Sequence, residues 1–290
     1  MSTSIGILCA LGAMLCWGIG DFLIQRSLRK IGDWETLFII ASFGCIILLP
    51  FVWSDLPSLF GPESGRTILT GAGIALFIAA ILEFEALRRG KISVIEPTWS
   101  LEIPASVFFA YIILGETLDI FQLLVIGVLI IGLFLVSYRG KAFSKKFFLE
   151  RGVLISIAGA IMMGIANFFV GWGARETDAL TTSFVISLFS VVGSGIFLLA
   201  QGKFKKMFRD IRDNPKLLTT MSIFDNVAWI AFAFAMTLAP IGVAAALSES
   251  YIIIAVILGL FVNKEKLERH QKFGLCVAVL SAILLVTQIG

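Results

Sequence analysis

Along the chain, apolar residues run for about twenty positions at a time, and the polar residues gather in short intervals between these runs. An α-helix needs a run of that length to cross the hydrocarbon core of a bilayer, whereas a helix on a soluble core alternates apolar and polar positions within each turn or two. Ten such runs can be marked, at roughly 5–25, 35–53, 67–87, 92–112, 120–138, 152–172, 180–200, 217–238, 242–262 and 270–288. Almost nothing is left over for a soluble domain. The first run, in MSTSIGILCALGAMLCW, has neither a basic flank nor a small-residue cleavage site with a polar continuation, so it reads as a retained span rather than a removable leader.

The runs and their intervals also repeat. GETLDIFQLLVIGVLIIGLFLV, from Gly115, lies on KEKLERHQKFGLCVAVLSAILLV, from Lys264, matching Glu116 with Glu265, Leu118 with Leu267 and Gln122 with Gln271. WGIGDF at 17–22 lies on MGIANF at 163–168, which pairs Asp21 with Asn167. The predicted fold is therefore an all-α membrane protein of ten transmembrane helices, built as two five-helix repeats at 1–140 and 151–290 around a basic linker at 141–150. Because each repeat holds an odd number of spans, the second enters the membrane from the side opposite to the first. The halves are then inverted about an axis in the membrane plane, the construction secondary transporters use to expose a central site to each side in turn.

Composition agrees with this picture. The chain is 58% hydrophobic and 15% charged with a mean hydropathy of +0.98, against about 25% charged residues in a soluble domain. Of the 23 Lys and Arg, all but Arg66 and Arg175 fall in intervals on one side of the predicted membrane. The excess of positive charge on cytoplasmic loops makes that side cytoplasmic and puts both termini outside. The same asymmetry accounts for the net charge of +3 without a nucleic-acid partner, and KFKKMFRDIRDNPK reads as a loop facing lipid. Cys9, Cys16, Cys45 and Cys276 all sit in predicted spans at no metal-binding spacing, so no metal site or cofactor is expected.

Three stretches carry a family resemblance: WGIGDF; FEALRRGKISVIEPTWSLEIPASVFFAYIILGETLDIFQLLVIGVLIIGLFLV; and LAPIGVAAALSESYIIIAVILGLFVNKEKL. They resemble the two EamA domains of the drug/metabolite transporter superfamily, over nearly the whole chain. One departure is that Asn263 and Lys264 precede the aligned Glu265, where the first half has Leu114 and Gly115 before Glu116. The resemblance implies a carrier of small metabolites whose cavity is lined chiefly by spans 1, 3, 4, 6, 8 and 9, in the plasma (inner) membrane of a bacterium or archaeon. It does not name the substrate, because the family moves amino acids, sugars, nucleotide sugars and drugs.

The candidate chemistry lies in seven acids inside the spans: Asp21, Glu83, Glu85, Glu96, Glu102, Asp225 and Glu249, with no Lys or Arg equally deep. A charged group at mid-membrane costs about 2.5–3.5 kcal/mol on insertion scales, so each needs a reason. Glu85 is three and four residues from Arg88 and Arg89, the spacing of a surface pair at a helix end. Glu83 and Glu96, near the same face, divide between interfacial and cavity roles. Asp21 matches a polar residue, Asn167, in the other repeat. Glu102, Asp225 and Glu249 lie too deep to reach water, as hydrogen-bonded glue between helices or as a binding site.

Helical spacing adds an indole to three of these acids: Trp17 with Asp21, Trp99 with Glu102, and Trp229 with Asp225. Carboxylate plus indole suits an amine or quaternary ammonium, through ion pairing and cation–π attraction. Pro97 and Pro104 remove backbone donors from span 4. Carbonyls freed in a membrane survive beside protein or a water-filled cavity, which places this stretch at the transport pathway.

The expectation is a secondary transporter, exporting amino acids or other amine-bearing or zwitterionic solutes by alternating access in exchange for protons, with Asp21 and Glu102 as coupling candidates. Its partners would be the substrate, protons and membrane lipid, and with two complete halves a monomer could suffice. An uncoupled facilitator of neutral metabolites is the near alternative. Gly18, Gly20 and Asp21 also spell GxGD, and with Asp225 would give an intramembrane aspartyl protease, but the matching segment GIAN has no acid. There is no GxSxG or HExxH, and the one histidine, His270, lies in a charged loop, so no enzyme is expected.

Overall fold

A computed structural model describes residues 2–56, 64–89, 92–138, 151–262 and 266–289; the linker expected at 141–150, together with Asn263, Lys264 and Glu265 of the repeat match, lies outside the described residues. With no water to bond to, each apolar run satisfies its own N–H and C=O groups as a helix. In chain order the helices are α1 (Ser2–Lys30), α2 (Asp33–Val52), α3 (Ser64–Arg89), α4 (Ile92–Trp99), α5 (Glu102–Leu114), α6 (Ile120–Ser137) and α7 (Arg151–Glu176). They continue with α8 (Ala179–Ala200), α9 (Phe204–Asp213), α10 (Pro215–Leu238), α11 (Ile241–Ser248), α12 (Tyr251–Val262) and α13 (Arg269–Ile289). Ten segments are long and apolar enough to cross a membrane. Spans 4 and 9 are each two helices laid end to end, α4 with α5 and α11 with α12, and α9 is a short connector between spans 7 and 8.

The packing follows the inverted repeat. Span 3 lies along span 6 and span 1 along span 8, the same pairing with the halves exchanged; span 2 pairs with span 7 and span 5 with span 10. Likewise span 4 packs on span 6 as span 9 packs on span 1. The aligned glutamines do one job in both halves. Gln122 closes a capping box at the start of α6, its Oε1 accepting from the Asp119 N–H at 3.1 Å while the Asp119 carboxylate accepts from the Gln122 N–H at 2.8 Å. Gln271 Oε1 accepts from the Glu268 N–H at 3.0 Å ahead of α13.

One end of the bundle is tied together by its basic residues and their partners. Lys206 donates to the Ile31 carbonyl at 2.9 Å and lies 3.5 Å from Glu35, while Arg88 reaches Asp33 at 3.4 Å. Glu85 pairs with Arg88 and Arg89, as its spacing predicted. The segment expected to be a lipid-facing loop here is the helix α9, with Met207 buried against Trp34 and Leu198 while Lys205, Phe208 and Arg209 stay exposed.

The two broken spans turn at aligned positions. In span 4 the Leu101 N–H donates to the Thr98 carbonyl at 3.1 Å, and in span 9 the Ser250 N–H donates to the Leu247 carbonyl at 3.2 Å, each one residue short of the α-helical acceptor. A glycine of the opposite half lies against each turn. A Cβ on Gly164 of α7 would come within 2.6 Å of the Glu102 carbonyl oxygen, and one on Gly18 of α1 within 3.1 Å of the Tyr251 carbonyl oxygen. Gly18, read above as part of a GxGD motif, is thus a close-approach glycine that lets span 1 cross the broken span 9.

Candidate functional site

The breaks, the crossing helices and the acids meet at one cavity of about 210 Å³ in the middle of the bundle. Nine of the ten residues singled out from the sequence line it. They are Trp17 and Asp21 from α1, Glu83 from α3, Trp99 from α4 and Glu102 from α5. The second half contributes Asn167 from α7, Asp225 and Trp229 from α10, and Glu249 at the junction of α11 and α12. The side chain of Glu96 lies outside the described set. Of Glu83 and Glu96, whose role the sequence left open, Glu83 lines the cavity, and Glu85 makes the pairing with arginines that its spacing predicted.

Local structure explains the convergence. Asp21 and Asn167 sit one turn beyond Gly18 and Gly164, so the helices that cross the broken spans most closely also aim these side chains at the breaks. Within the second half, Asn167 Nδ2 donates to Glu249 Oε1 at 3.1 Å, and Asp21 accepts from Gln25 Nε2 at 3.1 Å. Glu102 is buried, and the expected pairing of Trp99 with Glu102 on one helical face does not hold, because α4 ends at Trp99 and α5 begins at Glu102. Both reach the cavity by way of the break between them.

The indoles form a cluster. Trp17 meets Trp229 edge to face with ring centres 5.1 Å apart, lies 6.3 Å from Tyr251, and is backed by Phe232 at 5.0 Å. Tyr251 and Gln25, absent from the predicted set, belong to the site; the first was legible as the residue aligned with Glu102, the second only from its contact with Asp21. Among the described residues, five carboxylates line this cavity and no Lys or Arg does. Unpaired charges in so small a space cost several kcal/mol each, so the cluster is completed by protons or by a cationic guest.

Toward the basic end the cavity adjoins a second, larger volume of about 530 Å³, which shares Asp21, Trp99 and Tyr251 with it and runs to Lys266 and Glu268. At the opposite end the path is filled by α11, buried along its whole length, and by a polar latch. Arg175, at the end of span 6, donates to Glu116 at 2.9 Å and to the carbonyls of Met236 and Ala239 at 2.7 and 2.9 Å. Arg175 was visible in the sequence as one of two basic residues on the wrong side; what it holds was not. The smaller volume of about 190 Å³ beyond Glu83, Asp225 and Trp229 extends the site between spans 2, 3, 7 and 8.

A ten-helix inverted repeat with a polar cavity at its centre defines a membrane transporter. The chain belongs to the EamA-like transporter family, whose pattern matches residues 4–138 and again 150–287. The fold recurs in 29 chains of solved structures. One, described only as a crystal structure of a protein, superposes with a TM-score of 0.76 over 98% of this chain and 97% of its own at 14% identity, a likeness of fold alone. No curated protein matches the chain.

Proposed function

We propose that this transporter exports a small amine-bearing solute, amino acids included, by alternating access in exchange for protons. The observation that carries the reading is the central cavity, with five carboxylates beside a tryptophan cluster and no Lys or Arg among its described lining residues. Carboxylates there attract an ammonium, and the indole faces add cation–π attraction. A proton and an ammonium compete for the same carboxylate, so release of one accompanies capture of the other, which is the logic of antiport. Positive charge on the basic end supports a cytoplasmic location for it, with both termini outside; the cavity is then open inward and latched outward. Two complete halves surround the site, so a monomer suffices. The protease reading also needs Asp21 and Asp225 together, and both line this cavity; membership of a transporter family and the packing role of Gly18 weigh against it.

The test is uptake of labelled amino acids, amines and neutral sugars into proteoliposomes made acid inside, comparing the natural protein with Glu102→Gln. Gradient-driven accumulation of an amine, abolished by the substitution, is the expected result. Accumulation of neutral solutes alone, unchanged in Glu102→Gln, would make the carboxylates helix glue and the protein an uncoupled facilitator.

A further inference from the structure

The same cavity, on the reading just given, also carries information about how many amino groups its substrate has. Its acids fall into two groups by the helices that carry them. In one, Glu249 is bound to Asn167, and α7, which carries Asn167, presses Gly164 on the carbonyl of Glu102. In the other, α1 and α10 lie along each other with Gly20, next to Asp21, against the backbone of Asp225. Glu83 joins them from α3. The edge-to-face pair of Trp17 and Trp229 adds an aromatic surface to the same cavity wall.

Three further observations narrow the guest. Asn167 is 1% exposed, and its Oδ1 has no hydrogen-bond partner although its Nδ2 is used on Glu249. A buried acceptor without a donor costs about 1–3 kcal/mol, and an N–H of the guest would relieve it. Among the described residues no three acidic, cysteine or histidine side chains converge closely enough to hold a metal ion, so the acids are spread for an extended cation rather than gathered for a compact one. Finally, a substrate carboxylate would meet five acidic side chains and, among the described residues, no Lys or Arg. The unpartnered donor on the cavity wall, Trp99 Nε1, carries no charge to set against it.

We infer that the substrate carries at least two amino groups and no carboxylate: a linear diamine or polyamine, one ammonium held at Glu102, Glu249 and Asn167 Oδ1, the other at Asp21 and Asp225, with its methylenes over Trp17 and Trp229. The test uses three matched probes in the same proteoliposomes: cadaverine, pentylamine, which lacks the second amine, and lysine, which adds a carboxylate. Cadaverine should half-saturate at a concentration at least about tenfold below either of the others. Asp225→Asn, which keeps the shape of that side chain and removes its charge, should cost cadaverine more than pentylamine and bring the two half-saturation values within about twofold of each other. Pentylamine or lysine carried as well as cadaverine would overturn the diamine assignment while leaving an amine transporter. Failure of all three to move would overturn the amine reading with it.

Discussion

Spans 4 and 9 hold the same place in the two halves and break at the same place, yet their sequences differ where the break occurs. Span 4 has Pro97 and Pro104; the aligned residues of span 9 are Ala246 and Ile253. Pro104 offers no N–H to the Ser100 carbonyl. Ile253 has one, but gives it to the Ser250 carbonyl at 2.9 Å rather than to Glu249. What the two breaks share is a neighbour, a glycine of the opposite half pressed on the aligned carbonyls of Glu102 and Tyr251. The difference teaches that the packing between halves imposes the turn and that proline is one of two local ways to accommodate it.

The most damaging way to break this comparison is to fill the glycines. Gly164→Ala sets a methyl against a backbone carbonyl that cannot rotate away, and Gly18→Ala sets one against Tyr251 and Ile254. Overpacking of this kind costs about 1–3 kcal/mol per site. Both variants should lose most of their monodisperse protein in detergent and all cadaverine uptake. Unchanged chromatographic behaviour of Gly164→Ala would show that the halves do not depend on that contact.

This is also where the sequence was most and least informative. Hydropathy and the repeat made the ten spans and their inversion legible, because both follow from length and alignment alone. The acids were legible as site candidates because they stood in apolar surroundings, and five of the seven line one cavity. Proline made the break in span 4 visible and hid the one in span 9, whose cause lies across the bundle in Gly18. Trp99 and Glu102 were joined by a helical spacing that the break interrupts. The latch on Arg175 depends on carbonyls more than sixty residues away in sequence, which no local pattern encodes.

A smaller effect is expected from exchanging the aligned polar pair. Asn167→Asp removes the donor to Glu249 and adds a sixth acid to the cavity, whereas Asp21→Asn merely removes one charge. Loss of a buried donor costs about 1–3 kcal/mol, so Asn167→Asp should lower uptake by about tenfold or more, and Asp21→Asn by less. Equal losses in the two variants would mean that the halves use these positions alike.

The latch has an aligned counterpart at the basic end: Arg29 corresponds to Arg175, and Glu265, outside the described residues, to Glu116. Arg29 is exposed and makes no ion pair among the described residues. Arg175→Ala should therefore shift the population toward opening at the other end. Its partly exposed ion pair and carbonyl bonds together amount to about 1–2 kcal/mol. In a cysteine-free background, a cysteine at Val243, buried in α11, should label about tenfold faster from that side in Arg175→Ala than without it. An unchanged rate would place the seal in α11 alone.

The smallest effect is the most pointed. If packing imposes both turns, span 4 does not need its prolines, and Pro97→Ala with Pro104→Ala makes it resemble span 9 at the aligned positions. The restored N–H groups can turn to nearer carbonyls as that of Ile253 does. Glu102 then keeps its place in the cavity, and cadaverine uptake should stay within about twofold of the natural protein, with stability changed by at most about 1 kcal/mol. If instead the prolines make the break, the variant straightens span 4, carries Glu102 round the helix axis away from Asn167 and Glu249, and transport is lost although the protein remains folded. Loss of uptake in a well-folded double variant would therefore assign the two breaks to separate causes, proline in the first half and packing in the second.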